Sequence, residues 1–261
     1  MAAIMYQQAL YDRVGHEKQW LTIMVQFGYG KGKTKNISLF QKIVYYKWQR
    51  GFSMADKPLR DRIIDTALHL FEKYGYHGVT VDRIVAESDT SKGGFYHNFK
   101  SKDELLYHIH DVFITYALTK AQEAYEGFPT PTERLYAIVQ SFVKVFHLYK
   151  PHITVFYQES TYLKPEYAEP INEKREEFKQ IIFRVIREGI EAGEFRPELS
   201  VEITGMSIIG MVNWTYKWYN PDGPLSIEEI AAYFADFILH AVLRTPENPA
   251  AARFLLRPAA E

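Results

Sequence analysis

Cysteine does not occur anywhere in the 261 residues, so disulfides, thiolate metal sites and cysteine nucleophiles are all excluded, and an intracellular location is compatible. Long apolar runs are missing too. The longest near the start, around Leu21 to Phe27, is far too short for a membrane span, and no basic leader precedes it. No segment alternates in the manner of a half-buried strand. Charge of one sign is also lacking: the formal net charge is −1, so any attraction to a polyanion must come from a local arrangement of residues. A soluble cytoplasmic protein is the default expectation. The 47% of hydrophobic residues suffice for one or two domains with cores of their own.

The most informative segment runs from Thr80 to Lys102, TVDRIVAESDTSKGGFYHNFKSK. Before it, Ile64, Ala67, Leu68 and Phe71 recur at the spacing of one buried helix face. Gly75 and Gly78 can end that helix in the left-handed conformation. Thr80 then has the chemistry of an N-cap, with Asp82 where the helix dipole favours negative charge. Val81, Ile84 and Val85 give the second helix a small apolar face, and Ala86 leaves room for a crossing helix. Ser88-Asp89-Thr90 is turn chemistry.

A third short helix is predicted from Ser91 to Asn98. Adjacent Gly93 and Gly94 each cost it roughly 1 kcal/mol relative to alanine. If this helix lies in the major groove, the missing side chains let its backbone approach the sugar-phosphate wall, while Ser91, Lys92, Tyr96 and His97 reach phosphates or base edges. Phe95 and Phe99 then point inward as core anchors. The alternative is a surface turn in which the glycines serve only as hinges. From Met54 to Lys102 there are eight Lys or Arg against seven Asp or Glu, so the DNA reading rests on arrangement rather than on bulk charge.

The stretch LFEKYGYHGVTVDRIVAESDTSKGGFYHNFKSKDELL resembles the N-terminal DNA-binding domain of the TetR family of transcriptional regulators over about Leu59 to Leu106. The shared features are a helix ending in Phe-x-x-x-Gly, then Thr-Val-x-x-Ile-Val, Ser-Lys-Gly-x-Phe-Tyr-x-x-Phe and Lys-Ser-Lys-Asp-Glu-Leu. By that resemblance Thr80, Ser91, Lys92, Gly93, Tyr96, His97 and Lys102 fall on positions that contact DNA. At Asn98 the chain departs from the pattern, because many members carry a histidine there; here His97 precedes it.

Residues 1–53 hold eight Lys or Arg against two Asp or Glu. They read either as an extension upstream of a start at Met54 or as a basic arm that adds phosphate contacts. Gly28 to Thr34 is superficially like a phosphate loop, but position 27 is Phe27 and the glycine spacing is wrong. After the DNA-binding domain (54–101), residues 102–245 read as helix after helix, which makes the expected fold all-α. The predicted spans are Lys102 to Glu126, Thr132 to Tyr149, His152 to Tyr162, Glu169 to Ala192, Ser200 to Tyr219 and Ser226 to Arg244, followed by a loose tail over 246–261.

The second domain is rich in aromatic residues, which either fill a core or line a pocket. The resemblance implies a hydrophobic effector bound there, and the candidate lining is Phe113, Phe142, Phe146, Phe156, Phe178, Met206 and Trp214. EGIEAGEFRPEL and WYNPDGPLS are similar to segments of regulators that respond to acyl-CoA thioesters, and Lys174, Arg175 or Lys179 could then meet phosphates at the mouth. The resemblance further implies a homodimer, formed through the last two helices, that reads a palindromic operator and is released from it by the effector; no cofactor is expected. A drug-efflux regulator with an aromatic ligand is the alternative effector class. An enzyme or a helical interaction protein that binds no DNA is the alternative function. For the enzyme, His147 and His152 with Glu159, or the carboxylates of Glu169 to Glu177, are the candidates, but none has persuasive catalytic spacing. His108 and His110 fall on different helical faces and do not suggest a shared metal.

Overall fold

The computed structural model describes residues 57–245 and 253–255, and the chain divides into two compact units, Met1–Arg62 and Ile63–Glu261. The extension expected over 1–53 lies outside the described residues, and of the first unit only residues 57–62 are described. The helices are α1 (Leu59–Tyr74), α2 (Val81–Glu87), α3 (Lys92–Asn98), α4 (Lys102–Gly127), α5 (Pro131–Leu148) and α6 (Lys150–Glu159). A 3-10 turn (Ser160–Tyr162) precedes α7 (Pro165–Glu191), α8 (Val201–Asn213), α9 (Thr215–Trp218) and α10 (Ile227–Val242). Among the described residues the sole strand-like feature is one isolated antiparallel bridge between Phe195 and Leu243.

Helix starts follow short oxygen-bearing side chains. Thr80, Ser91, Ser101, Thr130, Ser200 and Ser226 each accept a hydrogen bond from a backbone N–H in the first turn of α2, α3, α4, α5, α8 and α10, which satisfies a donor the helix itself leaves orphaned. Gly75 ends α1 with φ +70°, where a side chain would be strained. Three starts come earlier than the sequence suggests, α5 by one residue at Pro131. Helix α6 begins at Lys150 rather than His152, and α7 at Pro165 rather than Glu169, because a proline in the first turn forgoes only an N–H that had no partner. At the other end, the expected helix to Tyr219 breaks at Trp214 into α8 and α9.

The three N-terminal helices close around Ile63, Ala67, Leu70, Phe71, Ile84, Phe95 and Phe99, all at most 1% exposed. Of the predicted α1 stripe, Ala67, Leu68 and Phe71 are buried, while Ile64 is half-buried and Ile63 beside it is fully inside. Ala86, expected beneath a crossing helix, is exposed; Ile84 is the residue that α2 buries.

The larger core joins α4, α5, α7, α8 and α10 through residues such as Ala121, Leu135, Val143, Ile182, Val212 and Leu239. Each large aliphatic side chain enclosed this way stabilises by about 1.5–3 kcal/mol. Gly205 lets α8 approach α7 closely, since a Cβ there would lie 2.4 Å from the Phe183 ring. Gly210, also expected at a close crossing, has open space instead. A second, small cluster consists of Ile114, Phe156 and Ile171 with Tyr107 and Phe113 against it, and Phe113 also packs on the larger core. Within the tail expected to be loose, Phe254 packs on Tyr136 at 4.7 Å.

Candidate functional site

Helices α2 and α3 are joined by a turn in which Asp89 takes φ 51°, a conformation Asp tolerates better than most residues. The Thr80 hydroxyl accepts from Arg83 N–H at 3.2 Å, and the Ser91 hydroxyl accepts from Gly94 N–H at 3.0 Å. Both caps fix where each short helix starts. Phe95 and Phe99, 0% and 1% exposed, turn inward, with rings 5.9 Å apart. The opposite face is polar and open: Ser91, Lys92, Gly93, Tyr96 and His97 are all exposed, Tyr96 at 53%.

Three details bear on what this face can do. A Cβ on Gly93 would meet only Ser91 Oγ, at 3.7 Å, so the chain's own packing does not require glycine there; its absent side chain keeps the outer surface flush. Lys92 pairs with Asp82 at 2.8 Å, with both side chains about two-thirds exposed, an ion pair that water screens and a phosphate can replace. Asn98 Nδ2 donates to Gly94 O at 2.8 Å. The side chain at the position where the family pattern has histidine is thus folded back on its own helix, while His97 beside it is exposed.

Lys102 is placed differently from its sequence expectation. Its ammonium donates to Tyr76 O and Val79 O, each at 2.8 Å, and lies 4.0 Å from the centre of the Tyr76 ring. Burial lowers its pKa, opposed by Asp103 and Glu159. The amine binds the α1–α2 turn to the start of α4 instead of reaching outward, adding a charged donor to Tyr76 O, which already accepts from Val79 N–H, and donating to Val79 O.

That contact belongs to a larger fastening which sequence spacing did not reveal. Tyr76 donates its hydroxyl hydrogen bond to Asp103, and Lys164 pairs with the other Asp103 oxygen at 2.6 Å. Lys164, foremost, and then Tyr76 hold the Asp103 carboxyl below its usual range, whereas burial followed by Asp103 raises Tyr76. The Tyr162 ring stacks on Tyr76 at 6.1 Å and meets His77 edge-on at 4.3 Å. The junction between α6 and α7 is therefore anchored to the turn that precedes α2 and α3.

The candidate effector residues separate into three groups. Phe142 contacts Phe178 at 4.7 Å and Phe146 at 6.0 Å within the main core. Phe113 contacts Phe156 at 5.1 Å in the smaller cluster. Met206 and Trp214 are 52% and 60% exposed. They do not join the others, because α8 turns Gly205, Ile208 and Val212 inward and carries these two on its outer side.

Of the proposed mouth cations, Lys174 pairs with Asp111 at 2.5 Å and Lys179 with Glu176 at 2.5 Å. The Arg175 guanidinium lies 5.6 Å from the Phe156 ring centre. A surface cleft of about 280 Å³ is lined by Gln122, Tyr125, Glu126, Glu177, Gln180, Ile181 and Arg184, none of them a predicted lining residue.

Two histidines are enclosed, His110 against Phe156 of the smaller cluster and His152 against Tyr149 of the larger core. His110 is 0% exposed, with its ring 4.9 Å from Phe156, and His152 is 7% exposed, with its ring 5.7 Å from Tyr149. Burial, then the neighbouring His152, pushes His110 down to about 3; burial pushes His152 down to about 4. Both rings are neutral at pH 7. His108 instead faces Phe99 at 5.6 Å, and among the described residues no three His, Cys, Asp or Glu side chains are grouped to hold a metal.

Two short capped helices at a tight turn, with an inward aromatic pair and an outward polar face, followed by a larger helical domain, define a helix-turn-helix DNA-binding regulator. Residues 63–109 match the family profile "Bacterial regulatory proteins, tetR family", and residues 129–242 match "Tetracyclin repressor-like, C-terminal domain". The TetR family regulator PfmR of Thermus thermophilus is 30% identical, with 69% of this chain and 97% of that one aligned at a TM-score of 0.64. The chain belongs to the TetR family of transcriptional regulators. The transcriptional repressor KstR2 of Mycolicibacterium smegmatis is 22% identical over 71% of this chain and 91% of its own length. The structure of AibR in complex with isovaleryl coenzyme A and operator DNA is 24% identical, covering 69% and 97% of the two chains at a TM-score of 0.60. No described helix is long and apolar enough to cross a membrane.

Proposed function

We propose that this chain is a homodimeric repressor that α3 seats on operator DNA and that a hydrophobic effector, a fatty acyl-CoA or related thioester, releases. The observation that carries the reading is the division of α3 into a buried aromatic side and an open side bearing Ser91, Lys92, Gly93, Tyr96 and His97. Phosphate contacts from Lys92 and the Ser91 end of the helix set register, and Tyr96 and His97 reach base edges.

The effector reading is supported by the path of α6. Its middle carries Phe156, in the smaller cluster, and its end leads into Tyr162 and Lys164, which hold Tyr76, His77 and Asp103 at the headpiece turn. A ligand inserted among Phe113, Phe156, Phe142, Phe146 and Phe178 displaces α6. Strain then passes through Tyr162 to the turn before α2, so the two heads of a dimer no longer match consecutive half-sites. Arg175, beside Phe156, is placed to meet a phosphate. The thioester class is suggested by AibR, and the repressing sign by KstR2.

The dimer reading is supported by an apolar strip on the outside of α8 and α10. Ile203, Met206, Trp214, Tyr233 and Phe237 are 52–69% exposed, an apolar surface of the kind that marks a partner interface. The test is operator release: the protein is bound to its own upstream DNA and titrated with acyl-CoA thioesters, free fatty acids and planar cationic drugs. Release by thioesters supports the reading. Release by the cationic drugs alone refutes it in favour of an efflux regulator.

A further inference from the structure

Three ring nitrogens of the enclosed histidines, Nδ1 and Nε2 of His110 and Nδ1 of His152, are buried without a hydrogen-bond partner. A neutral imidazole always carries one N–H donor and one bare acceptor nitrogen. Enclosing both without partners opposes folding, and such a group in a native protein calls for an explanation. Apolar side chains lie against His110: Phe156 meets its ring edge-on, and Phe113, Ile114 and Ile171 complete the cluster.

We propose that His110 and His152 form the polar end of an effector seat within this smaller cluster, recognising a ligand that has an apolar body and one uncharged oxygen, a hydroxyl or a carbonyl. The assignment rests on the reading that the helical domain takes a hydrophobic effector, and it names which end of that domain does so and by what chemistry. A carbonyl oxygen accepts from an imidazole N–H. A hydroxyl both accepts from one ring nitrogen and donates to another. A carboxylate fits poorly against the rings themselves, because both are neutral and Asp65 already sets a negative field at His152, which adds to the cost of desolvating an anion; Arg175 lies on the Phe156 side of the cluster. Phe142, Phe146 and Phe178 then belong to the fixed core, and the moving wall is α6, which carries both His152 and Phe156.

The experiment uses the full chain at pH 7.5 with ¹⁵N-labelled histidine side chains and three ten-carbon probes: 1-decanol, 2-decanone and decanoate. Imidazole ¹⁵N signals and probe affinity are recorded for the wild type, His110→Phe and His152→Phe, and operator binding is measured on the same samples. The alcohol and ketone are expected to shift the His110 signals, to bind at least tenfold more tightly than decanoate, and to lose about tenfold in affinity in His110→Phe. Unchanged His110 signals with every probe overturn the proposal, as does tighter binding of decanoate or unaltered affinity of both variants for the alcohol and ketone. If a probe releases operator while His110 is silent, the effector reading stands and this seat is wrong. If the alcohol and ketone bind at His110 without affecting operator, the seat stands and the effector reading falls.

Discussion

Replacing His110 by Phe should remove a defined part of the acid sensitivity of the fold. In the folded chain His110 titrates at about 3 and His152 at about 4, against an ordinary 6.5 for each. The unfolded chain therefore takes up protons that the folded chain refuses, and stability falls as pH drops below 6.5 until the folded values are reached. Between pH 7.5 and 5.5 the linkage amounts to about 1.4 kcal/mol for each ring, about 3 kcal/mol for the pair. At pH 5.5 this loss depends on the unfolded value alone, since both folded rings are still neutral. The phenyl ring occupies a similar volume against Phe156 and carries no orphaned donor, so stability at pH 7.5 should be unchanged or higher by up to about 1–2 kcal/mol. Urea unfolding of both proteins at pH 7.5 and 5.5, at fixed ionic strength and protein concentration, gives the difference directly. Equal pH dependence in wild type and variant would refute the assignment of His110 as a ring held neutral by burial.

Lys102→Ala should lose about 1–2 kcal/mol of stability through the charged hydrogen bonds it removes from the Tyr76 and Val79 carbonyls, while the salt slope of DNA binding, read by fluorescence anisotropy, stays at the wild-type value. Gly205→Ala drives a Cβ into the Phe183 ring and should cost about 1–3 kcal/mol in the same unfolding assay. Phe237→Arg puts a charge into the exposed apolar strip of α8 and α10; sedimentation should show a monomer where the wild type is a dimer, with the fold intact by circular dichroism.

Helices α2 and α3 were legible because their signals are local. Thr80, Ser91 and Ser101 mark helix starts by side-chain chemistry, Gly75 marks a stop by conformation, and Phe95 and Phe99, four residues apart, share one face. Helix α8 was harder to phase. Apolar residues surround it on all sides, from Ile203 and Met206 without to Ile208 and Val212 within, so period alone could not say that Met206 and Trp214 face outward. Lys102 was counted among the DNA contacts by resemblance to the family pattern, and only the folded turn brings the Tyr76 and Val79 carbonyls to it. The fastening of Tyr162 and Lys164 to Tyr76 and Asp103 spans some 60 to 90 residues of sequence, and no spacing rule connects them. The enclosure of His110 likewise depends on α6 folding across α4.

The most direct measurement is binding of the protein to its own upstream DNA across a salt series, for wild type, Lys92→Ala and Tyr96→Ala. Both side chains stand outside the core, so both variants should fold as the wild type does. Lys92→Ala should weaken binding to all sequences and reduce the salt slope by about one. Tyr96→Ala should cost about 1–3 kcal/mol at the operator and little elsewhere. Operator binding as tight and as selective in both variants as in the wild type would contradict the placement of α3 against DNA.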